Sequence, residues 1–383
     1  MDRADVVVVG AGVVGLSCAR ELRRLGAGSV VVLEALPAVG EGSSSRANGG
    51  VRAQFSTAPN IAFSRWSIDE LEALDRATGR LAFHQTGYLL LTGTEEGEAR
   101  LRASYELQRS HGVETRWLEP DEAVALAPFV RADGLRAATF HDRDGFLDPA
   151  GLVAALATDA QERGAIVRTD APVATIRQVG TGFELEHGGR RILADIVVNA
   201  AGSDAREVAT MVGAEVPVDP VRRNLALVLD PSAAPTLSPM CVDLDTGVLA
   251  RREVAGGWVV AYSDPRDPPG RETSVDPAFL TALAERVPNR FPFLADLPLD
   301  PARCWAGLYP ETSDHHAIVG TDPSVPGVIH CAGFGGHGVM HAPAAGRAVA
   351  ELVTLGRCTT FDLDPLRPGR FAEGDVIVEG AVF

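Results

Sequence analysis

The chain has 383 residues, 46% of them hydrophobic, enough to bury a large core and to divide into two domains. A formal charge of −16 argues against nucleic acid as a partner, because phosphates call for a basic face that 35 basic residues against 51 acidic ones do not supply. Five cysteines, an odd number without a C-x-x-C pair, indicate neither a disulfide framework nor a zinc site, so a reducing, cytoplasmic setting and no metal are expected.

In chain order, Val6–Val9 is a β-branched run, Leu16–Leu25 has helical spacing and Val30–Leu33 is apolar again, which predicts β-α-β with both strands buried. The first apolar stretch follows charged residues and is broken by three glycines, which suits a strand and turn and not a signal peptide or membrane span. A helix is expected over Ile61–Leu74, strands separated by a glycine turn in "FHQTGYLLLTG", and a charged amphipathic helix over Glu95–His111. Asp148-Pro149 opens another helix with an N-cap and a first-turn proline. Three or four short strands follow, ending in the buried "VVNAAG".

From about Pro217 to Pro310 prolines multiply between alternating strands, with one helix near Pro277–Val287, the pattern of an antiparallel sheet covering a substrate. The strand-turn-helix pattern with glycines then returns in "GVIHCAGFGGHGVMHAPAAGRAVAEL". The expected fold is therefore α/β: a discontinuous Rossmann-like domain over 1–85, 145–216 and 311–383, with an α+β substrate domain over 86–144 and 217–310.

Gly10-Ala11-Gly12-Val13-Val14-Gly15 fits G-x-G-x-x-G between strand and helix. The first glycine permits the tight turn, the second lets a pyrophosphate approach the backbone, and the third lets helix and strand pack closely. Glu34 ends the second strand where an acid would hydrogen-bond a ribose, and its charge disfavours a 2′-phosphate and hence NADP. The fingerprint alone does not separate NAD from FAD. "VVNAAGSDA" has the shape of a second approach to the dinucleotide, and the helix that begins after the glycine turn within Gly327–Leu352 could set its positive end against a flavin pyrimidine.

Together with "EGSSSRANGGVRAQFS", these features resemble the D-amino-acid oxidase superfamily of FAD proteins, and within it the branch of sarcosine oxidase β and proline dehydrogenase β subunits. The resemblance implies FAD along Gly10, Gly12, Val13, Val14, Gly15 and Glu34, with Ser45, Arg46, Asn48, Gly49 and Gly50 near the isoalloxazine. Val173, Ala201, Gly202, Gly307, Gly333 and the turn Gly335, Gly336, His337, Gly338, Val339, Met340 would complete the site. The implied chemistry is oxidation of a C–N bond beside a carboxylate: hydride leaves Cα for flavin N5, and water hydrolyses the resulting imine. Positioning matters more here than acid-base work.

For the substrate, Arg52 is the leading carboxylate anchor, since a guanidinium grips a carboxylate in bidentate fashion; pairing with a surface acid is the competing role. Tyr309 is a second candidate from the resemblance. Arg251 and Tyr262 lie on strands expected to roof the flavin, where strand parity decides whether they meet substrate. His315, His316 and His341 read as structural residues near the cofactor.

Two departures from the resembling oxidases stand out. Gly307 occupies the position at which monomeric sarcosine oxidases carry the flavin-linked cysteine, so FAD is expected to be non-covalent and Cys304 an ordinary packed cysteine. Those oxidases also use lysines near the flavin, one at the position of Met340, and this chain has no lysine at all, which favours a dehydrogenase over an oxidase. The expected partner is a small amine or amino acid, with a partner subunit or separate electron acceptor left open. A 2-hydroxy-acid oxidoreductase, a non-catalytic flavoprotein subunit or assembly factor, and an NAD-linked enzyme are the competing readings.

Overall fold

The computed structural model describes residues 2–230, 237–264 and 266–382, and the ends of the expected domain ranges at 1 and 383, with 231–236 and 265, lie outside them. Among the described residues the strands gather into two large sheets and one two-stranded ribbon.

The first sheet runs Ile318–Thr321, Val328–Ala332, Arg190–Asn199, Asp2–Val9, Val30–Leu33, Ile166–Arg168, parallel except where the first of these pairs with the second. Side chains alternate along a strand, so a run buried throughout must be covered on both faces. Val6 and Val8 enter the core shared with the helices Val13–Arg24 and Gly338–Leu355, whereas Val7 and Val9 enter a separate core on the other face. The two helices cross closely: a Cβ on Gly346 would lie 2.5 Å from the Ser17 carbonyl oxygen. The expected strands before "NAAG" are Ile166–Arg168, Val173–Val179, Gly182–His187 and Arg190–Asn199, the middle two forming a hairpin on the sheet's flank.

The second sheet runs Trp305–Glu311, Asp219–Val228, Trp258–Tyr262, Val248–Arg252, Met240–Asp243, Tyr88–Thr92, Ala137–His141, Arg116–Leu118. The sheet is antiparallel, as expected, except at one seam, where Met240–Asp243 and Tyr88–Thr92 pair in parallel. They come from two distant stretches of chain, so their seam has no hairpin to impose an antiparallel sense. One face, with Ala250, Trp258 and Val260, packs on the helix Pro277–Arg290; the other, with Leu225 and Leu249, faces the cavity described below.

Other boundaries moved for local reasons. The helix expected at Ile61–Leu74 spans Ala58–Thr78, starting with a first-turn proline and closing at Gly79 in a left-handed conformation, φ 63°. In "FHQTGYLLLTG" the Tyr88–Thr92 half forms a strand, while His84 contributes a single bridge to Phe146. No helix among the described residues is long and apolar enough to cross a membrane.

Candidate active site

A cavity of about 620 Å³ lies against both sheets, within the size of a cofactor site (roughly 300–1,000 Å³). Its first region is built where Asp2–Val9 gives way to the helix Val13–Arg24. Gly10 sits at φ 103°, and a Cβ there would come within 2.4 Å of the Ala200 carbonyl oxygen, so only glycine makes this turn. Gly10, Gly12, Val13 and Val14 line the cavity. Gly15 does not; a Cβ there would meet the Gly10 carbonyl oxygen at 2.0 Å, so its absence lets helix and strand touch.

Glu34 lines the cavity and is held there from both sides. Its Oε2 accepts from the Ala11 N–H at 2.7 Å and its Oε1 from the Leu36 N–H at 3.0 Å. Val173 lies in the same wall.

The serine run requires a correction. Ser45 is exposed and off the cavity, its N–H donating to the Gly40 carbonyl, whereas Ser44 lines the cavity and its Oγ accepts from the Val13 N–H at 3.1 Å. The three serines 43–45 are chemically alike, and the tight turn Ser44–Arg46 leaves Ser43 and Ser44 on the cavity and turns Ser45 out. Arg46, Asn48, Gly49 and Gly50 line the cavity. Arg46 is fixed to the second sheet, donating from Nη1 to the Ala306 carbonyl at 3.0 Å while its own carbonyl accepts from the Trp305 indole at 2.9 Å.

Ala201, Gly202 and Gly333 continue the wall, and Gly202 has φ 56° with open space where a Cβ would project. Gly335, Gly336, His337, Gly338, Val339 and Met340 then form a turn and the first turn of the helix Gly338–Leu355, which begins without a side-chain cap. Its leading N–H groups and dipole therefore remain for a bound group. His337 packs edge-on against Phe55 with centroids 4.9 Å apart, and His341 contacts both. Burial holds both imidazoles well below their ordinary pKa, helped at His337 by the Arg52 charge and at His341 by His337, so both are neutral at pH 7. His316 is also pushed down by burial, while His315 is raised by its contact with Glu311.

A second region is polar and aromatic. Arg52 lines the cavity with 3% exposure, its guanidinium 3.9 Å from the Phe55 ring centre. Nη1 donates to the Gln54 carbonyl and Nη2 to the Ala381 carbonyl. The loop beneath is held by buried Asp144, which accepts from the Ala53 N–H at 2.8 Å, the Gln54 amide at 3.1 Å and the His141 ring at 2.6 Å. Tyr309 lines the cavity and packs on Gly336, where a Cβ would lie 2.6 Å from the ring. Burial raises its pKa, with Arg223 and Arg52 opposing the rise.

Gly307 lines the cavity, and a Cβ there would be 3.0 Å from that of Arg46, leaving little room for a side chain. Cys304 is off the cavity, its Sγ 3.3 Å from the Asp300 carbonyl oxygen.

Arg251 and Tyr262 part company. Arg251 points to the same face as Leu249 but stops short of the cavity: its Nε donates to Asn48 Oδ1 at 2.7 Å and its Nη1 pairs with Glu253 at 3.0 Å. Tyr262 shares its face with Trp258 and Val260 and stacks on Phe279, centroids 5.4 Å apart, so it is turned away from the cavity. Position within the strand decided both.

Among the cavity residues that sequence reasoning passed over are Tyr88 and Arg223. Tyr88 is buried with its hydroxyl against Gly50, where a Cβ would lie 2.2 Å away, and burial raises its pKa; its only signal was its place after the glycine turn. Arg223 lines the same wall beside Tyr309. Nothing in "VRRNLALVL" separates it from Arg222, which pairs with Asp276 outside the cavity. Among the described residues no cluster of three or more His, Cys, Asp or Glu side chains is arranged to hold a metal ion.

Residues 5–352 match the family model described as "DAO: FAD dependent oxidoreductase". The chain is 30% identical to FAD-dependent oxidoreductase domain-containing protein 1 of Bos taurus, over 100% of this chain and 87% of that one. It is also 30% identical to glycine oxidase of Geobacillus kaustophilus, over 95% and 96% of the two chains. Among solved structures, L-proline dehydrogenase from P. horikoshii superposes with a TM-score of 0.92 at 28% identity, covering 98% of this chain and 99% of that one.

Proposed function

The chain belongs to this family of FAD-dependent oxidoreductases, and from that premise we propose that it oxidises the C–N bond of a small amine or amino acid that carries a carboxylate. The residues fit the cofactor: bare glycines at Gly10, Gly12 and Gly202, an acid bonded to the backbone at Glu34, and an uncapped helix start at Gly338 all open on one cavity. Gly10, Gly12, Val13, Val14 and Glu34 would hold the adenosine diphosphate, and Ala201, Gly202 and the Gly333–Met340 turn the flavin. When bound, FAD supplies the two-electron acceptor for a substrate hydride. With Gly307 where a linking cysteine would stand, the binding is non-covalent.

The observation that carries the substrate reading is the buried arginine-tyrosine wall of that cavity, Arg52 with Tyr88 and Tyr309. A guanidinium sunk to 3% exposure beside two neutral phenols favours an anion and disfavours a cation. The amine therefore enters neutral and the carboxylate binds on the arginine side. His337 and His341, both neutral, add no competing positive charge. The glycine oxidase and L-proline dehydrogenase relatives are named for substrates of this class. The absence of lysine from the chain supports a dehydrogenase over an oxidase.

The test is anaerobic mixing of the yellow protein with N-methyl, cyclic and D- or L-amino acids, then admission of air or of an artificial electron acceptor. Bleaching by at least one amino acid, with reoxidation faster by the acceptor than by air, is expected. Bleaching by 2-hydroxy acids alone would transfer the reading to that class, and no bleaching by either would refute it.

A further inference from the structure

Beyond the short helix Arg370–Glu373 the chain turns at Gly374, φ 69°, and runs to residue 382 without helix or strand. Val376, Ile377 and Val378 are exposed, and Glu379 is then buried at 1% exposure. Its carboxylate is held at the start of the helix Ala58–Thr78. Oε1 accepts from the Ser56 N–H at 2.9 Å, from the Ser56 hydroxyl and from the Ala381 N–H at 2.9 Å. Oε2 accepts from the Thr57 hydroxyl at 2.6 Å and the Asn60 amide at 3.0 Å. Thr57 is the N-cap residue of that helix, yet its hydroxyl makes no cap bond and serves Glu379 instead. The Glu379 N–H donates to the Asp314 carbonyl at 3.0 Å and the Gly380 N–H to the Ser56 hydroxyl at 2.8 Å.

Burying a carboxylate costs more than burying an apolar anchor of similar size. What the charge adds is direction: its two oxygens and their donors fix the backbone of the residues that follow, and these reach the cavity. The Ala381 carbonyl accepts from Arg52 Nη2, and the next residue, Val382, lines the cavity with Arg52. Burial pushes the Glu379 pKa up, but the bonds from Ser56 and Thr57 outweigh this and leave it lowered, so the group is charged at pH 7. Burial likewise opposes the charge on Arg52, and Glu379 and Asp144 are the carboxylates that favour it.

We propose that Glu379 is a positioning residue for the substrate reaction: it ties residues 379–382 across the wall, so that the Ala381 carbonyl sets the Arg52 guanidinium and Val382 bounds the space beside it. This rests on the proposal that the cavity takes an amino acid with its carboxylate on the arginine side. Glu379 touches neither substrate nor cofactor and acts through the strap alone.

The test follows anaerobic flavin reduction by the amino acid that bleaches the parent best, read as a dissociation constant, a limiting rate and the slope at low concentration. Glu379→Gln keeps the shape but turns an N–H₂ toward groups that are themselves donors, which should release the strap. With FAD content kept, the dissociation constant should rise by about tenfold or more, and the limiting rate should change less. In an Arg52→Met background the same substitution should alter the slope by less than about twofold, because it acts through Arg52, whereas a general loosening would add in full. Amide hydrogen exchange over residues 374–382 reports the strap directly and should quicken in Glu379→Gln. If Glu379→Gln loses FAD, Asn60→Ala decides: a rise in dissociation constant of about threefold or more that is absent from the Arg52→Met background supports the assignment, and an unchanged constant overturns it. Faster exchange with an unchanged dissociation constant overturns the positioning role and leaves the amino-acid reading intact, as does an equal effect in both backgrounds. A parent protein that no amino acid bleaches removes both proposals together.

Discussion

Acidification from pH 7.5 to 5.5 should loosen the cavity wall at His337 and His341. Both imidazoles are buried, 7% and 1% exposed, and burial holds their pKa well below the ordinary 6.5. The unfolded chain therefore takes up protons first. Stability contributed by the two neutral rings is fully present above pH 6.5 and is lost as the pH falls toward their folded pKa. At pH 5.5 the unfolded state is favoured by on the order of 1 kcal/mol per histidine. His141 works in the opposite sense: burial lowers its pKa, but the Asp144 contact outweighs this and leaves it raised, so its contribution is present below pH 6.5 and fades as pH rises. His315, raised through Glu311, behaves likewise. A difference measurement isolates the pair: urea unfolding at both pH values for the parent and for a His337→Asn/His341→Asn double variant. The parent should lose more than the variant on acidification, by on the order of 2 kcal/mol. Equal losses would refute the assignment of two buried neutral histidines. Flavin release recorded in the same titration links the effect to the site, because a protonated His337 would stand beside Arg52 on the wall.

Three further outcomes follow from the geometry. Gly15→Ala places a carbon 2.0 Å from the Gly10 carbonyl oxygen and should cost about 2–4 kcal/mol by thermal or urea unfolding, with loss of bound FAD. Glu34→Ala strips the acceptor from the Ala11 and Leu36 N–H groups, and should weaken FAD roughly 10- to 100-fold in a reconstitution titration while the fold survives. Asp144→Ala leaves the Ala53 N–H, the Gln54 amide and the His141 ring without their shared acceptor; a loss of about 3 kcal/mol in unfolding free energy is expected, with a raised KM through the displaced Arg52 loop.

Local pattern carried the glycine-rich half of the cavity. Gly10 must be glycine because of its φ of 103° and the Ala200 carbonyl 2.4 Å from any Cβ. That requirement is written into a contiguous strand-turn-helix, as is the place of Glu34 at the end of the next strand. The same contiguity fails for Ser44 and Ser45, where one residue of turn register moves a hydroxyl from solvent to the helix start.

The polar and aromatic half depends on strand pairing between remote segments. Tyr262 looked equal to Arg251 in the sequence, yet one stacks on the Pro277–Arg290 helix and the other reaches Asn48, because side chains alternate between the two faces of the sheet. Arg223 and Tyr309 are 86 positions apart and meet only because Asp219–Val228 pairs with Trp305–Glu311. Arg52 was recognisable as an anchor candidate, but its burial and its carbonyl partner at Ala381, at the other end of the chain, were not. By itself the sequence determined the fold class, the glycine turn after the first strand and the acid at the end of the second, since these depend on neighbours within a few dozen residues. Only the tertiary structure decided which guanidinium groups reach the cavity wall and which oxygens hold them there, because those oxygens come from distant stretches of chain.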